Sequence, residues 1–95
     1  MISGSIASKN GSTGILLDGS LLKADIDLTH ADENSSYGYF VATSAVVTIG
    51  RSVGANNGVY GLSGGAGAVS SYKDIRFAGN GTAPTSGTIG VATLF

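Results

Sequence analysis

The sequence predicts an all-β domain: a small antiparallel β-sandwich or barrel of about six to eight short strands. Three observations predict it. The apolar residues come in short runs, each broken by glycine, asparagine or serine. Turn signals recur at roughly 8–12-residue intervals, the spacing of sandwich and barrel strands. No window of about twelve residues carries a helical period free of glycine.

Taken in order, Ile2 to Ala7 alternates as a strand with Ile2 and Ile6 on one face, and residues 8–13 (SKNGST) form a turn. Asp18-Gly19 then lies between two apolar runs. Asp-Gly favours the two-residue type I′ hairpin, so residues 15–24 are expected to pair antiparallel, with Leu16 opposite Leu21. Period-2 alternation puts Ile15, Leu17, Leu22, Ala24, Ile26 and Leu28 on one face, and Leu16, Leu21, Lys23, Asp25 and Asp27 on the other. Residues 29–36 (THADENSS) are a polar loop, in which Thr29 with Asp32 fits a capping box and one helical turn. In the run 37–49, Tyr39, Val41, Ala45, Val47 and Ile49 share one face and Phe40, Ala42 and Val46 the other. Both faces are apolar, as in one central strand or two strands joined through Thr43-Ser44. Asn57-Gly58 is a second hairpin turn, leading into Val59 to Leu62. Residues 64–67 (GGAG) are too flexible to hold a strand. Val69 to Phe77 alternates again, residues 78–87 are a loop around Pro84, and Ile89 to Phe95 is a closing strand. The only recurrence noted, Thr-Ile-Gly at residues 48–50 and 88–90, is too short to establish a repeat.

The 95 residues form a single domain, 1–95. A chain of this length buries about 60–65% of its unfolded surface, a thin margin. It has no cysteine, so neither a disulfide nor a thiolate metal site supplements the core. Oligomerisation is the remaining common support. Only 12% of residues are charged and the net charge is −1, which leaves no basic footprint for nucleic acid. The charge is uneven: two bases and five acids up to Gly50, three bases and one acid after it, an asymmetry that head-to-tail contact between copies could use. The first residues show no basic leader followed by an apolar run, and no stretch is apolar and long enough to span a bilayer, so no membrane partner is expected.

Motifs for chemistry are weak. Residues 61–65 (GLSGG) match the G-x-S-x-G nucleophile pattern around Ser63, but no helix follows and the one histidine, His30, lies upstream. Residues 64–67 (GGAG) resemble the start of a phosphate-binding loop but lack the third glycine of a dinucleotide fingerprint and the Gly-Lys-Ser/Thr of a P-loop. Asp25, Asp27, Asp32 and Glu33 form the one acidic cluster. They fail the EF-hand spacing, and Asp25 and Asp27, about 7 Å apart on one strand face, suit a solvated edge better than a calcium site or a glycosidase pair. Three N-x-S/T sequons fall at Asn10, Asn34 and Asn80. Tyr37 and Tyr39 on one strand face are a candidate stacking platform, with core packing the simpler reading. No catalytic residue, cofactor or metal ligand is therefore assigned.

Leu16 and Leu21 on an otherwise polar face, with Val91, Leu94 and Phe95 of the last strand (residues 87–95, GTIGVATLF), are the candidate interface residues. A small, cysteine-free, leaderless chain rich in Gly, Ser, Thr and Ala resembles the accessory virion proteins of tailed phages that decorate or cement capsids. The resemblance is one of type over the whole chain. It implies a non-catalytic protein of the virion, or otherwise of the cytoplasm. Its partners would be itself, as a homo-oligomer of which a trimer is one form, and a larger shell or scaffold protein. The alternative is a small carbohydrate- or receptor-binding β-module.

Overall fold

A computed structural model describes residues 2–18, 22–42, 45–64, 68–71, 74–86 and 89–91. The chain is all-β, but the strands run parallel and wind into a β-solenoid, which replaces the expected antiparallel sandwich or barrel. The strands are β1 (Ile2–Ser3), β2 (Ile6–Ser8), β3 (Ile15–Asp18), β4 (Lys23–Asp27), β5 (His30–Asp32), β6 (Tyr37–Ala42), β7 (Val46–Gly50), β8 (Ser52–Val53), β9 (Tyr60–Ser63), β10 (Ala68–Ser71), β11 (Ile75–Arg76), β12 (Ala83–Ser86) and β13 (Ile89–Val91). Every third strand joins the same sheet. The first sheet runs β1-β4-β7-β10-β13, the second β11-β8-β5-β2 and the third β12-β9-β6-β3. Strands β1–β3 thus form a first level, β4–β6 a second, β7–β9 a third and β10–β12 a fourth, with β13 opening a fifth.

The pairing exposes a repeat. Ile15, Tyr39, Leu62 and Thr85 stand in register on successive levels, at steps of 24, 23 and 23 residues. Positions stacked in this way form columns along the solenoid, and the columns explain the fold. Ile26 on Ile49, and Ala24, Val47 and Val69, line the inside of the first sheet. Ile15, Tyr39 and Leu62, with Leu17 on Val41, line the third. Leu17, Ile26, Tyr39, Val41, Val47, Ile49, Leu62 and Val69 are almost wholly buried and make one core with Ala31 and Ala45, against which Ile15 and Ala24 pack partly buried. The alternation that places Tyr39, Val41, Ala45, Val47 and Ile49 together is therefore the inward face of two successive strands. The Tyr39 hydroxyl crosses the core to within 2.9 Å of the carbonyls of both Thr29, at the corner before β5, and Val53 of β8. Burial pushes that phenol well above the ordinary tyrosine range.

The corner between the second and third sheets is held by an asparagine ladder. Asn10, Asn34, Asn57 and Asn80 stack one per level. In each of the first three, the backbone N–H and the side-chain Nδ2 both donate to the Oδ1 of the asparagine one level on, at 2.9–3.1 Å. Nδ2 of Asn34, Asn57 and Asn80 also donates back to the carbonyl of Ala7, Ala31 or Gly54. A glycine follows four residues after each of the first three rungs. A Cβ on Gly14, Gly38 or Gly61 would stand 2.6–2.9 Å from Nδ2 of the next rung. The residue before each asparagine, Lys9, Glu33, Asn56 and Gly79, has positive φ and turns the chain into the corner. The other corner repeats too. Gly4, Leu28 and Arg51 have positive φ. The next residues, Ser5, Thr29 and Ser52, each donate a side-chain hydroxyl to the carbonyl two residues back.

Several expectations fall with the antiparallel fold. Asp18-Gly19 does not join a hairpin: β3 pairs with β6 in the third sheet, whereas β4 pairs with β1 and β7 in the first. The predicted pairing of Leu16 with Leu21 goes with it. Asn57-Gly58 is no hairpin turn either, because Asn57 is a buried rung and β8 and β9 belong to different sheets. The polar stretch 29–36 holds β5 and a rung rather than a helical turn, and Pro84 lies in a strand rather than a loop. Ile2 and Ile6 belong to different sheets, with Ile6 76% exposed, and Leu28 points outward at its corner. Residues 43–44 and 65–67 lie outside the described residues.

Candidate interaction surface

Parallel stacking brings equivalent side chains one above another at about 4.8 Å spacing. On the outer face of the third sheet this gathers the apolar residues into one patch. Leu16 is 61% exposed, and its neighbour in register one level on is Phe40. Phe40 meets Tyr37 edge to face, with centroids 4.9 Å apart and planes at 66°. Tyr37 is in register with Tyr60, and their rings stack at 5.6 Å with planes 3° apart. Offset-stacked and edge-to-face contacts of this kind are the favoured aromatic geometries. The patch thus runs from Leu16 through Phe40 and Tyr37 to Tyr60 over three levels.

Of the sequence-predicted interface residues, Leu16 lies in this patch. Leu21, Leu94 and Phe95 lie outside the described residues, and Val91 is described only as backbone, paired with Ser71 at the edge of the first sheet. The Tyr37/Tyr39 platform is divided: Tyr39 is fully buried in the core, and Tyr37 takes Tyr60 and Phe40 as its partners instead. Tyr60 was not legible as a member, because its contact with Tyr37 requires a 23-residue register.

The acidic residues serve the scaffold. The Asp27 carboxylate takes a two-pronged contact from the Arg51 guanidinium, with Nε at 2.9 Å, and that hydrogen bond holds Asp27 below the usual carboxylate range. Asp74 accepts from the backbone N–H of Arg51 at 2.9 Å, and Asp32 from that of Ala55 at 3.1 Å. His30 Nδ1 stands 3.4 Å from Asp32 on the exposed side of the second sheet. Asp25 is exposed on β4, in register with Thr48. Among the described residues no three His, Asp or Glu side chains gather as a metal site. Ser63 is buried at the end of β9, in the third sheet, while His30 belongs to β5 in the second, so the two do not form the arrangement that a G-x-S-x-G nucleophile needs. No helix among the described residues is long and apolar enough to cross a membrane.

No protein-family model, no curated protein and no solved structure matches this chain.

Proposed function

We propose that the chain is a non-catalytic structural module that packs sideways into a larger protein assembly, in the manner of a virion decoration subunit, through the outer face of the third sheet. The observation that supports this is the Leu16–Phe40–Tyr37–Tyr60 patch. It places a well-exposed leucine beside three aromatic rings on a chain with little charged surface, and exposed apolar clusters of this kind mark protein contacts. Its partners are further copies of the chain and a shell protein presenting a complementary apolar surface. Light scattering on the purified chain tests the first of these. The chain is expected to run as an oligomer, and the double variant Leu16→Lys, Phe40→Ser as a monomer with unchanged β-sheet circular dichroism. A monomeric parent, or an unchanged oligomer in the variant, would remove this face from the assembly.

The Tyr37–Tyr60 stack favours a second reading, a carbohydrate-binding face, since such rings also accept the apolar face of a sugar. Glycan binding that Tyr60→Ala abolishes in a monomeric chain would select this reading over the first.

A further inference from the structure

The dipeptide Asn-Gly occurs three times, at residues 10–11, 57–58 and 80–81, and each asparagine is a rung of the ladder. In this dipeptide the asparagine side chain is readily attacked by its own backbone, because glycine has no side chain to hinder the approach. The fold treats the three copies differently. On the third level the Gly58 N–H donates to the Asn34 carbonyl at 2.8 Å, and on the fourth the Gly81 N–H donates to the Asn57 carbonyl at 2.9 Å. Both glycines pack on the level before, so closely that a Cβ would stand 2.0 Å from the carbonyl oxygen of Ser35 or Gly58. The Asn57 and Asn80 side chains are fixed as well. Nδ2 donates to the Ala31 or Gly54 carbonyl, and Oδ1 accepts from the rung one level back. Gly11 differs. A Cβ there would meet nothing within 4 Å, and among the described residues no hydrogen bond takes its N–H. Asn10 is exposed, and its side chain makes one hydrogen bond, from Nδ2 to the Asn34 Oδ1 at 2.9 Å.

We propose that Asn10 is a self-modification site, which converts to aspartate and isoaspartate while the same dipeptide at residues 57–58 and 80–81 stays intact, and that the conversion loosens the first level of the solenoid. The reaction needs no enzyme. The Gly11 backbone nitrogen gives up its proton to solvent and attacks Asn10 Cγ. A bond forms between them, the Cγ–Nδ2 bond breaks, and Nδ2 leaves as ammonia, taking a proton from solvent in return. Water then opens the resulting cyclic imide. Cleavage of the new N–Cγ bond yields aspartate. Cleavage between the Gly11 nitrogen and the Asn10 backbone carbonyl yields isoaspartate, with the chain rerouted through the side chain. The step requires a free N–H and an asparagine side chain able to turn, and Asn10-Gly11 provides both once the bond to Asn34 opens. At Asn57 and Asn80 the bonded N–H is withheld until neighbouring levels part, and the cost of that opening lowers the reactive fraction. The product is a poor rung. A carboxylate at residue 10 has no N–H to donate, and its charge faces the Asn34 Oδ1, itself an acceptor.

Incubation of the folded chain at mildly alkaline pH, followed by peptide mass mapping, tests the proposal. The mass gain of an amide-to-acid change, split between two isomers, is expected at Asn10 at least about tenfold faster than at Asn57 or Asn80. In urea the three sites should react at similar rates, since all three N–H groups are then free. Gly11→Val, whose side chain enters open space, should silence Asn10 and leave the β-sheet circular dichroism unchanged. In Asn10→Asp the amides of Lys9 and Gly14, which donate to the carbonyls of Asp32 and Tyr37 on the second level, should exchange several-fold faster than in the parent, with Asn57 near its parent rate. Equal rates at the three sites of the folded chain overturn the proposal, as does a preference for Asn10 that persists in urea. Unchanged exchange at Lys9 and Gly14 in Asn10→Asp overturns its structural consequence.

Discussion

At the scale of single residues, the asparagines bear most on the fold. Asn34 and Asn57 are 2% and 1% exposed, yet among the described residues no buried side-chain nitrogen or oxygen lacks a partner. The ladder achieves this by letting each amide bond to the level before and the level after. Such an arrangement is costly to interrupt, because one truncation leaves partners on two levels unmet. Asn57→Ala removes the acceptor of two Asn34 donors and the donor to Asn80 and to the Ala31 carbonyl. Its expected cost is roughly 2–4 kcal/mol. Asn10 is exposed and bonds in one direction only, so Asn10→Ala is expected to cost under about 1 kcal/mol. Urea unfolding of the two variants measures the difference, and equal costs would contradict the ladder.

At the scale of strands and corners, the Asp27–Arg51 pair ties the end of β4 to the bend between β7 and β8. The guanidinium lowers the Asp27 pKa in the folded state. The pair therefore contributes above the ordinary carboxylate range, and the contribution is lost as pH falls through the lowered folded value. The difference in urea midpoint between the parent and Asp27→Asn should be greatest near neutral pH and vanish in strong acid. Because the arginine is well exposed, added salt should shrink the difference as well. At this scale the sequence was legible in part. Alternation identified the inward faces of β6 and β7, because period 2 holds in any sheet. It could not say which strand lies beside which. Asp18-Gly19 and Asn57-Gly58 carry strong local turn chemistry, yet the solenoid pairs its strands with partners 20 to 24 residues away. Readable traces of that distance exist. The three sequons at Asn10, Asn34 and Asn80 are three of the four rungs, and Asn57 falls between the last two at the same step. Asn-x-x-x-Gly at residues 10, 34 and 57 is the repeat itself. It is easily missed because the three residues between the asparagine and the glycine differ from level to level. The patch was less legible still, since Leu16, Phe40 and Tyr60 become neighbours only once the levels are stacked.

At the scale of the molecule, stability is set by contacts between neighbouring levels, with little to tie the first level to the fourth. Such a fold approximates a one-dimensional stack, in which inner levels have two neighbours and the first has one. The ladder N–H groups report this directly, because those of Asn10, Asn34 and Asn57 make the same kind of bond to an Oδ1 at 2.9–3.1 Å. Geometry therefore does not distinguish them; the number of levels that must open does. Amide hydrogen exchange under native conditions is expected to be slowest at Asn34 and Asn57 and clearly faster at Asn10, where loss of the first level alone exposes the group. Asn10→Ala should loosen the first level while leaving exchange at Asn57 near its parent rate, whereas Asn57→Ala should accelerate exchange at Asn34 as well. Uniform protection across the three amides would mean that the levels open as one cooperative block, and the nearest-neighbour description of this solenoid would then be wrong.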